Sequence, residues 1–426
     1  MNKNFTTFVM CLCIFVSISN VIASETFSPL ISGSNSGKVN QWKVEANKRI
    51  EKYRKADIVI SIKDSDGQLL QGIDVQIKMI KHAFPFGTVV NSKNYLASTK
   101  FASIYRHNIK NFGFNAVTQT IFWNDFWDED FKAQQKKANE FYKSEGFQVR
   151  GHTTIYPRWS NTPKEIKALS KVDAPKAISD HIKETASRMN GWYSDWDLVN
   201  EMYGHMDWID SMGGMDSLAQ WHKISKEKSP DTQIYYNHNG MICSTKNSRF
   251  RKNIFNMMKT MKEQNLIDGI GIEGHLNEDS PSPEVMYTYL DWYSELDLPI
   301  RITEFDLGGE DRQEHGRKFG EYLTTFFSHP NIKGITLWGF TDGFMWQKQK
   351  GLITPKGELL PAGEVYKNLV LNEWWTNVTG TTDSDGKLKI RGFLGDYEVT
   401  ATIKGKKVKK KFSLSKSGVS SSLVIP

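Results

Sequence analysis

Cysteine is scarce in this chain of 426 residues: there are three, and Cys11 and Cys13 sit inside the first apolar stretch. Once that stretch is removed, Cys243 stands alone. An intrachain disulfide is then excluded, and the fold must be held by its core. Long apolar runs are also missing. After the N-terminus none reaches the ~18–20 residues of a membrane span, so no span is expected. No glycine-rich phosphate loop follows the first barrel-like strand, so no nucleotide cofactor is expected. The histidines lack ligand spacing with cysteine or paired carboxylates, so no metal is expected either. Excess charge is confined. Of the formal charge of +7, Lys3 supplies one and the seven lysines from Lys404 to Lys416 supply seven, leaving the rest at −1. What the chain does have is aromatic residues: 13 Trp, 15 Tyr and 24 Phe. They can build a large core and exclude a disordered chain. Collagen, coiled-coil and disulfide-scaffold classes are excluded by the same composition.

Residues 1–23 read as a signal peptide. Lys3 gives a positive start, residues 8–18 a short apolar stretch, and cleavage is expected near Ala23. The mature protein is therefore expected to be exported, secreted or periplasmic. Residues 24–54, rich in Ser, Gly and Asn at first, read as a leader or linker. In 57–80 two alternating runs flank the turn Asp64-Ser65-Asp66-Gly67, a hairpin-like pattern. The same Asp-Ser-Asp-Gly recurs at Asp383–Gly386, within a strand-rich tail. A two-stranded hairpin alone is marginal in water. Residues 55–83 and 380–426 are thus expected to pair into one small β-sandwich, with the segment 84–379 inserted between them. The terminal lysines interleave with Val408, Phe412 and Leu414, as on the solvent face of an edge strand, and no nucleic-acid partner is expected. Contact of this basic strand with an anionic polymer is a further expectation.

Within 84–340 short apolar runs alternate with longer amphipathic stretches. The runs are 84–91, 114–120, 148–155, 196–201, 233–237, 269–276, 299–306 and 334–340. Eight such units over roughly 250 residues fit a (β/α)8 TIM barrel, in the α/β class. Catalytic groups in such barrels come from the C-terminal ends of strands. Glu201 ends the fourth run behind Asn200, and Glu304 nearly ends the seventh. Two carboxyl groups in one cleft are the minimum for cleaving a glycosidic bond. One must hold a proton while the other is ionised. His152, Glu273, His275, Trp338 and Trp346 gather at the same ends of neighbouring runs. Trp and Tyr supply flat faces for sugar rings.

These residues resemble glycoside hydrolase family 10, the endo-1,4-β-xylanases, over roughly 84–375. WDLVNE is similar to the family's W-D-V-V-N-E, RITEFD to I-T-E-L-D, and GIGIEGHL to G-I-G-x-Q-x-H-L. LWGFTDGFMW resembles W-G-x-x-D-x-x-x-W, and RGHTTIY resembles R-G-H-T-L-V-W. The resemblance implies Glu304 as nucleophile and Glu201 as acid/base, with retention of configuration, which requires carboxyl groups ~5–5.5 Å apart. It also implies Asn200 on the sugar 2-hydroxyl, and Trp338 and Trp346 as sugar platforms. His275 would lie beside the nucleophile, oriented by Asp306. His152 is retained, and Tyr156 takes the family's Trp position. The expected partner is a polysaccharide, xylan or a related β-glycan.

Departures from the pattern concentrate on the glycone side. The family's E-N-x-M-K-W is here Thr118-Gln119-Thr120-Ile121-Phe122-Trp123, and N-D-Y is Asn237-His238-Asn239. The sixth-strand Gln is Glu273. Lost hydrogen-bond partners can change discrimination by orders of magnitude. A different or modified β-linked polysaccharide therefore stays open under the same mechanism. So does a carbohydrate-binding protein on a decayed barrel, though intact Glu201 and Glu304 count against decay.

Overall fold

The computed structural model describes residues 40–123, 129–245, 248–347, 349–403 and 406–424. The signal peptide and the first part of the expected linker lie outside them. The rest of that linker is not a linker. Gln41–Arg54 is a helix that buries Ala46, Ile50 and Arg54. Its apolar positions are few, which hides the helical period behind the polar residues that precede it. Arg54 replaces missing apolar area with polar contacts. Its guanidinium donates to the carbonyls of Phe327 (2.7 Å), His329 (2.6 Å) and Ile332 (2.9 Å), at and just beyond the C-terminal end of helix Arg312–Ser328.

Strands β1 (Lys55–Lys63) and β2 (Asp74–His82) follow. They are not a hairpin. After one bridge between Lys63 and Leu69 the chain crosses to a second sheet. The Asp64 turn explains the local signal, because Asp64 Oδ1 accepts from the N–H of Asp66 (3.0 Å) and of Gln68 (2.8 Å). Asp383 repeats the device with Asp385 and Lys387, both at 2.9 Å. Such Asx turns fix a reversal without dictating which sheet the next strand joins.

The inserted segment forms the barrel. Its strands are β3 (Phe86–Val90), β4 (Ala116–Thr120), β5 (Gln148–Ile155), β6 (Asp195–Asn200), β7 (Gln233–His238), β8 (Gly269–Ile272), β9 (His275–Leu276), β10 (Ile300–Leu307) and β11 (Ile332–Leu337). Neighbours pair in parallel in the order β3-β4-β5-β6-β7-β8-β10-β11, and β11 returns to β3. The short β9 continues the sixth stave beside β10. This is a closed (β/α)8 barrel. Every residue of β6 and β10 is buried, as expected of strands covered on both faces.

Beyond the barrel come β12 (Asn377–Thr381), β13 (Lys387–Phe393), β14 (Gly395–Ile403), β15 (Lys406–Leu414) and β16 (Val419–Val424). β12 starts ahead of the boundary expected at 380. β1 lies between β13 and β16, while β2 lies between β12 and β14 with β15 at the edge. Ile58, Ile60 and Ile62 of one sheet, and Val75, Ile77, Tyr397 and Val399 of the other, are fully buried. Phe84, Phe86, Phe327, Trp374 and Phe393 join these sheets to the barrel, with ring centroids 4.3–6.3 Å apart. Phe86 begins its strand, so the module sits at the end of the barrel opposite the strand C-termini. Among the described residues no helix is long and apolar enough to cross a membrane.

Candidate active site

A column of charge fills the barrel interior below the site. Arg301 meets Asp195 at 3.0 Å, Asp195 meets Arg150 at 2.8 Å, and Arg150 grips Asp197 with two nitrogens, one at 2.6 Å. Asp197 in turn faces His152 Nδ1 at 2.7 Å. These groups are at most a few per cent exposed, and buried ions of this kind persist only when matched. Sequence reasoning missed Arg150, Asp195, Asp197 and Arg301. The available signal was four charged residues inside otherwise apolar strands, where only the barrel lumen could receive them.

Glu201 follows β6 directly, in the left-handed region at φ 50°, ψ 36°. A non-glycine residue there carries strain of order 1–3 kcal/mol, which the surroundings must hold. The Glu201 N–H is fixed by the Asn237 carbonyl at 3.0 Å. Its carboxylate accepts from the Tyr156 hydroxyl and lies 3.9 Å from His205 Nε2. Burial, and then the hydrogen bond to Glu201, push the Tyr156 phenol far above its ordinary range, so it remains a donor.

Glu304 lies within β10, with its N–H on the Glu273 carbonyl at 2.8 Å. Three residues surround its carboxylate. Asn237 Nδ2 donates to Oε1 at 3.0 Å, His152 Nδ1 is 3.6 Å from the same oxygen, and His275 Nε2 is 3.3 Å from Oε2. Asn237 also donates to Asn200 Oδ1 at 2.9 Å and accepts from Thr303 Oγ1 at 2.6 Å. One residue thus fixes the backbone of Glu201 and the side chain of Glu304.

His275 is clamped from behind. Its Nδ1 is 3.0 Å from Asp306 Oδ1, and Asp306 also receives Lys350 Nζ and Trp346 Nε1, each at 2.7 Å. Burial alone would depress His275. The hydrogen bonds and charges of Asp306 and Glu304 outweigh it and push the imidazole up to about 9. It is a cation at neutral pH. Glu273, His275 and Glu304 bring ligand-type atoms within 4.8 Å of one another, close enough to share a cation. Lys350 carried no signal in sequence, since it lies in a loop beyond the last barrel strand.

Trp338 packs edge-on against His152, with centroids 5.1 Å apart. Trp346 is 58% exposed and lies 5.1 Å from the His275 ring. Its open face suits a sugar ring. Beside these two lies a cavity of about 310 Å³ lined by Phe101, Tyr105, Phe122, Phe344 and Met345, with Asn91 and Asn94 at its edge. Phe122 reaches His152 edge-on at 5.9 Å. The neighbouring Gln119 is turned away, bonded to Gln135 and Asn139 in the interior. Asn124 and Asp125, which follow this segment, lie outside the described residues.

Comparison with known proteins identifies the family. The sequence profile of "Glycosyl hydrolase family 10" matches residues 76–361. The anti-sigma-I factor RsgI6 of Acetivibrio thermocellus is 28% identical over 86% of this chain and 47% of its own length. Endo-1,4-beta-xylanase 1 of Arabidopsis thaliana is 25% identical over 87% of this chain and 39% of its own length. The chain therefore spans less than half of either relative. Among solved structures, xylanase 10B of Thermotoga petrophila in complex with xylobiose superposes with a TM-score of 0.59 at 21% identity, over 68% of this chain and 95% of the other. With the profile covering well over half of the residues, and the barrel and its strand-end carboxylates in place, the chain belongs to glycosyl hydrolase family 10.

Proposed function

We propose that this chain is a retaining endo-β-1,4-glycanase that hydrolyses xylan through a covalent glycosyl-enzyme. The observation that carries the reading is Asn237, which holds Glu201 by its carbonyl and Glu304 by its amide. Glu304, with His275 Nε2 at 3.3 Å from one oxygen, attacks the anomeric carbon. The glycosidic C–O bond breaks as Glu201 gives its proton to the leaving oxygen. Water then enters, and Glu201, now a carboxylate, takes its proton. The hydroxyl bonds to the anomeric carbon and Glu304 leaves with the electron pair of its ester bond. Tyr156 occupies one oxygen of Glu201 and so leaves the other for the proton. Asn200, Trp338 and Trp346 contact the sugars. The test is purified β-glycans with NMR of the first anomer released. Xylan cleavage with retention supports the reading, and inversion or no cleavage of any β-glycan overturns it.

A second reading keeps the mechanism and changes the polymer. Phe122 stands where the family carries Lys, and the cavity beside it has no charged side chain among the described residues. An apolar wall favours a glycone bearing a methyl or acyl substituent over a bare one. Relative kcat/KM on acetylated and alkali-deacetylated xylan separates the two. Export, expected from residues 1–23, belongs to the same proposal. N-terminal sequencing of protein recovered outside the cytoplasm checks it.

A further inference from the structure

Glu273 is a third carboxyl group in the cluster, 4% exposed. Its backbone is fixed on both sides, with its N–H on the His238 carbonyl (3.3 Å) and its carbonyl on the Glu304 N–H (2.8 Å). Its neighbours are few and already engaged. From β5 come Arg150 and His152, both on Asp197, and directly after it Tyr156, whose phenol feels the charge of Glu273 and is bonded to Glu201. From β6 come Asp197, Asn200 and Glu201. From β7 come Asn237 and His238, and from β9 and β10 come His275, Glu304 and Asp306.

The cations in this set are spoken for. Arg150 neutralises Asp197, Lys350 sits on Asp306, and His275 is nearer Glu304 (3.3 Å) than Glu273 (3.6 Å). Asn237 offers two amide protons to three acceptors, at 2.9 Å for Asn200, 3.0 Å for Glu304 and 3.3 Å for Glu273. Glu273 has the longest of these three and one further hydrogen bond, from the Asn200 side chain, but no cation nearer than His275. An ionised Glu273 would be a buried carboxylate with no cation of its own beside two further carboxyl groups, an arrangement that proteins avoid by taking up a proton.

We propose that Glu273 works as a neutral carboxylic acid, a hydrogen-bond donor in the place of the family's glutamine, and that loss of its proton switches off attack by Glu304. The proposal rests on the glycanase reading above. A protonated carboxyl and a carboxamide are nearly isosteric, and each presents one acceptor and a donor from the same positions. The chain can therefore keep the family's geometry, but the donor now depends on pH. Burial, and then the charges of Glu304, Glu201 and Asp197, push the Glu273 carboxyl well above the ordinary carboxylate range, in keeping with this role.

The test uses a dinitrophenyl β-xylobioside, whose leaving group departs without a proton from Glu201. Any alkaline fall in kcat/KM on it then reports groups other than Glu201. The wild type should fall as Glu273 ionises. Glu273→Gln should move that fall upward, toward the loss of the His275 proton near about 9. Glu273→Leu, which keeps the burial and removes the donor, should lose about tenfold or more in kcat where the glutamine variant does not. Superimposable pH profiles for wild type and Glu273→Gln would overturn the proposal, as would equal activity of the leucine variant. Difference infrared spectra of the full chain give an independent reading. A protonated-carboxyl C=O band at neutral pH that disappears in Glu273→Gln supports the proposal, and its absence from the wild type refutes it. If no aryl xyloside is hydrolysed, the glycanase reading is what fails, and the infrared band still decides the state of Glu273.

Discussion

On its polar side, toward β7 and β9, Glu304 faces Asn237, Glu273 and His275, with the Asp306–Lys350 pair behind. Beyond His152, toward β3 and β4, the cleft is walled by Phe122, Phe101 and Phe344, and Phe344 is 60% exposed. In the polar cluster Asn237, His275 and Asp306 are each tied to two or more others by distances near 3 Å, so one altered side chain strands its partners. In the apolar wall the contacts are between rings, such as Phe101 and Phe344 at 4.7 Å, and carry little directional demand. Bond-making chemistry therefore tolerates only replacements that keep the hydrogen-bonding shape, as Glu273 does for the family's Gln, while recognition of the neighbouring sugar can be rewritten ring by ring.

The comparison breaks most sharply at the nucleophile. Glu304→Ala should lower kcat on xylan by ~10³-fold or more, as removal of a covalent residue does elsewhere. Near-native turnover by a folded variant would end the assignment. Glu201→Ala should cost ~10²–10⁴-fold on xylan. Its first step should recover on the dinitrophenyl substrate, so a burst followed by slow turnover is the expected trace. The apolar wall should answer differently. Phe122→Lys restores the cation that the family carries there and should change kcat/KM by about tenfold between plain and acetylated xylan, in favour of the plain polymer. Equal effects on both polymers would show that the wall does not select.

How far the sequence could be read follows the same division. Glu201 was legible because it closes an apolar run, and Glu304 because the strand around it, Ile300–Leu307, carries a motif that resembles the family's. The eight staves were legible as apolar runs alternating with amphipathic stretches. Helix Gln41–Arg54 was not, because it buries only Ala46 and Ile50 besides Arg54, whose contacts are with carbonyls some 270 residues away and leave no local period. The separation of β1 and β2 into different sheets was hidden because the Asp64 turn satisfies its own backbone locally. Tyr156 was read from its place in a motif, but its bond to Glu201 spans two strands and has no pattern in sequence. Lys350 and the cavity wall depend on how loops fold over the strand ends, and spacing along the chain does not encode that.

The smallest expected effect is one of stability, and it sharpens the comparison because only the polar side should show it. The folded-state value for His275, about 9, lies above its ordinary 6.5. A group raised on folding contributes stability that is fully present below its unfolded value and lost as pH rises through the folded one. The Tm advantage of the wild type over His275→Asn should therefore be constant below about pH 6.5 and shrink steadily toward pH 9. Phe122→Lys changes no hydrogen bond of His275, so its own Tm offset from the wild type should hold steady across that window. A pH-independent offset in His275→Asn would mean that the imidazole is not held as a cation. Asp306 would then be balanced by Lys350 alone, and Glu304 would face a neutral imidazole.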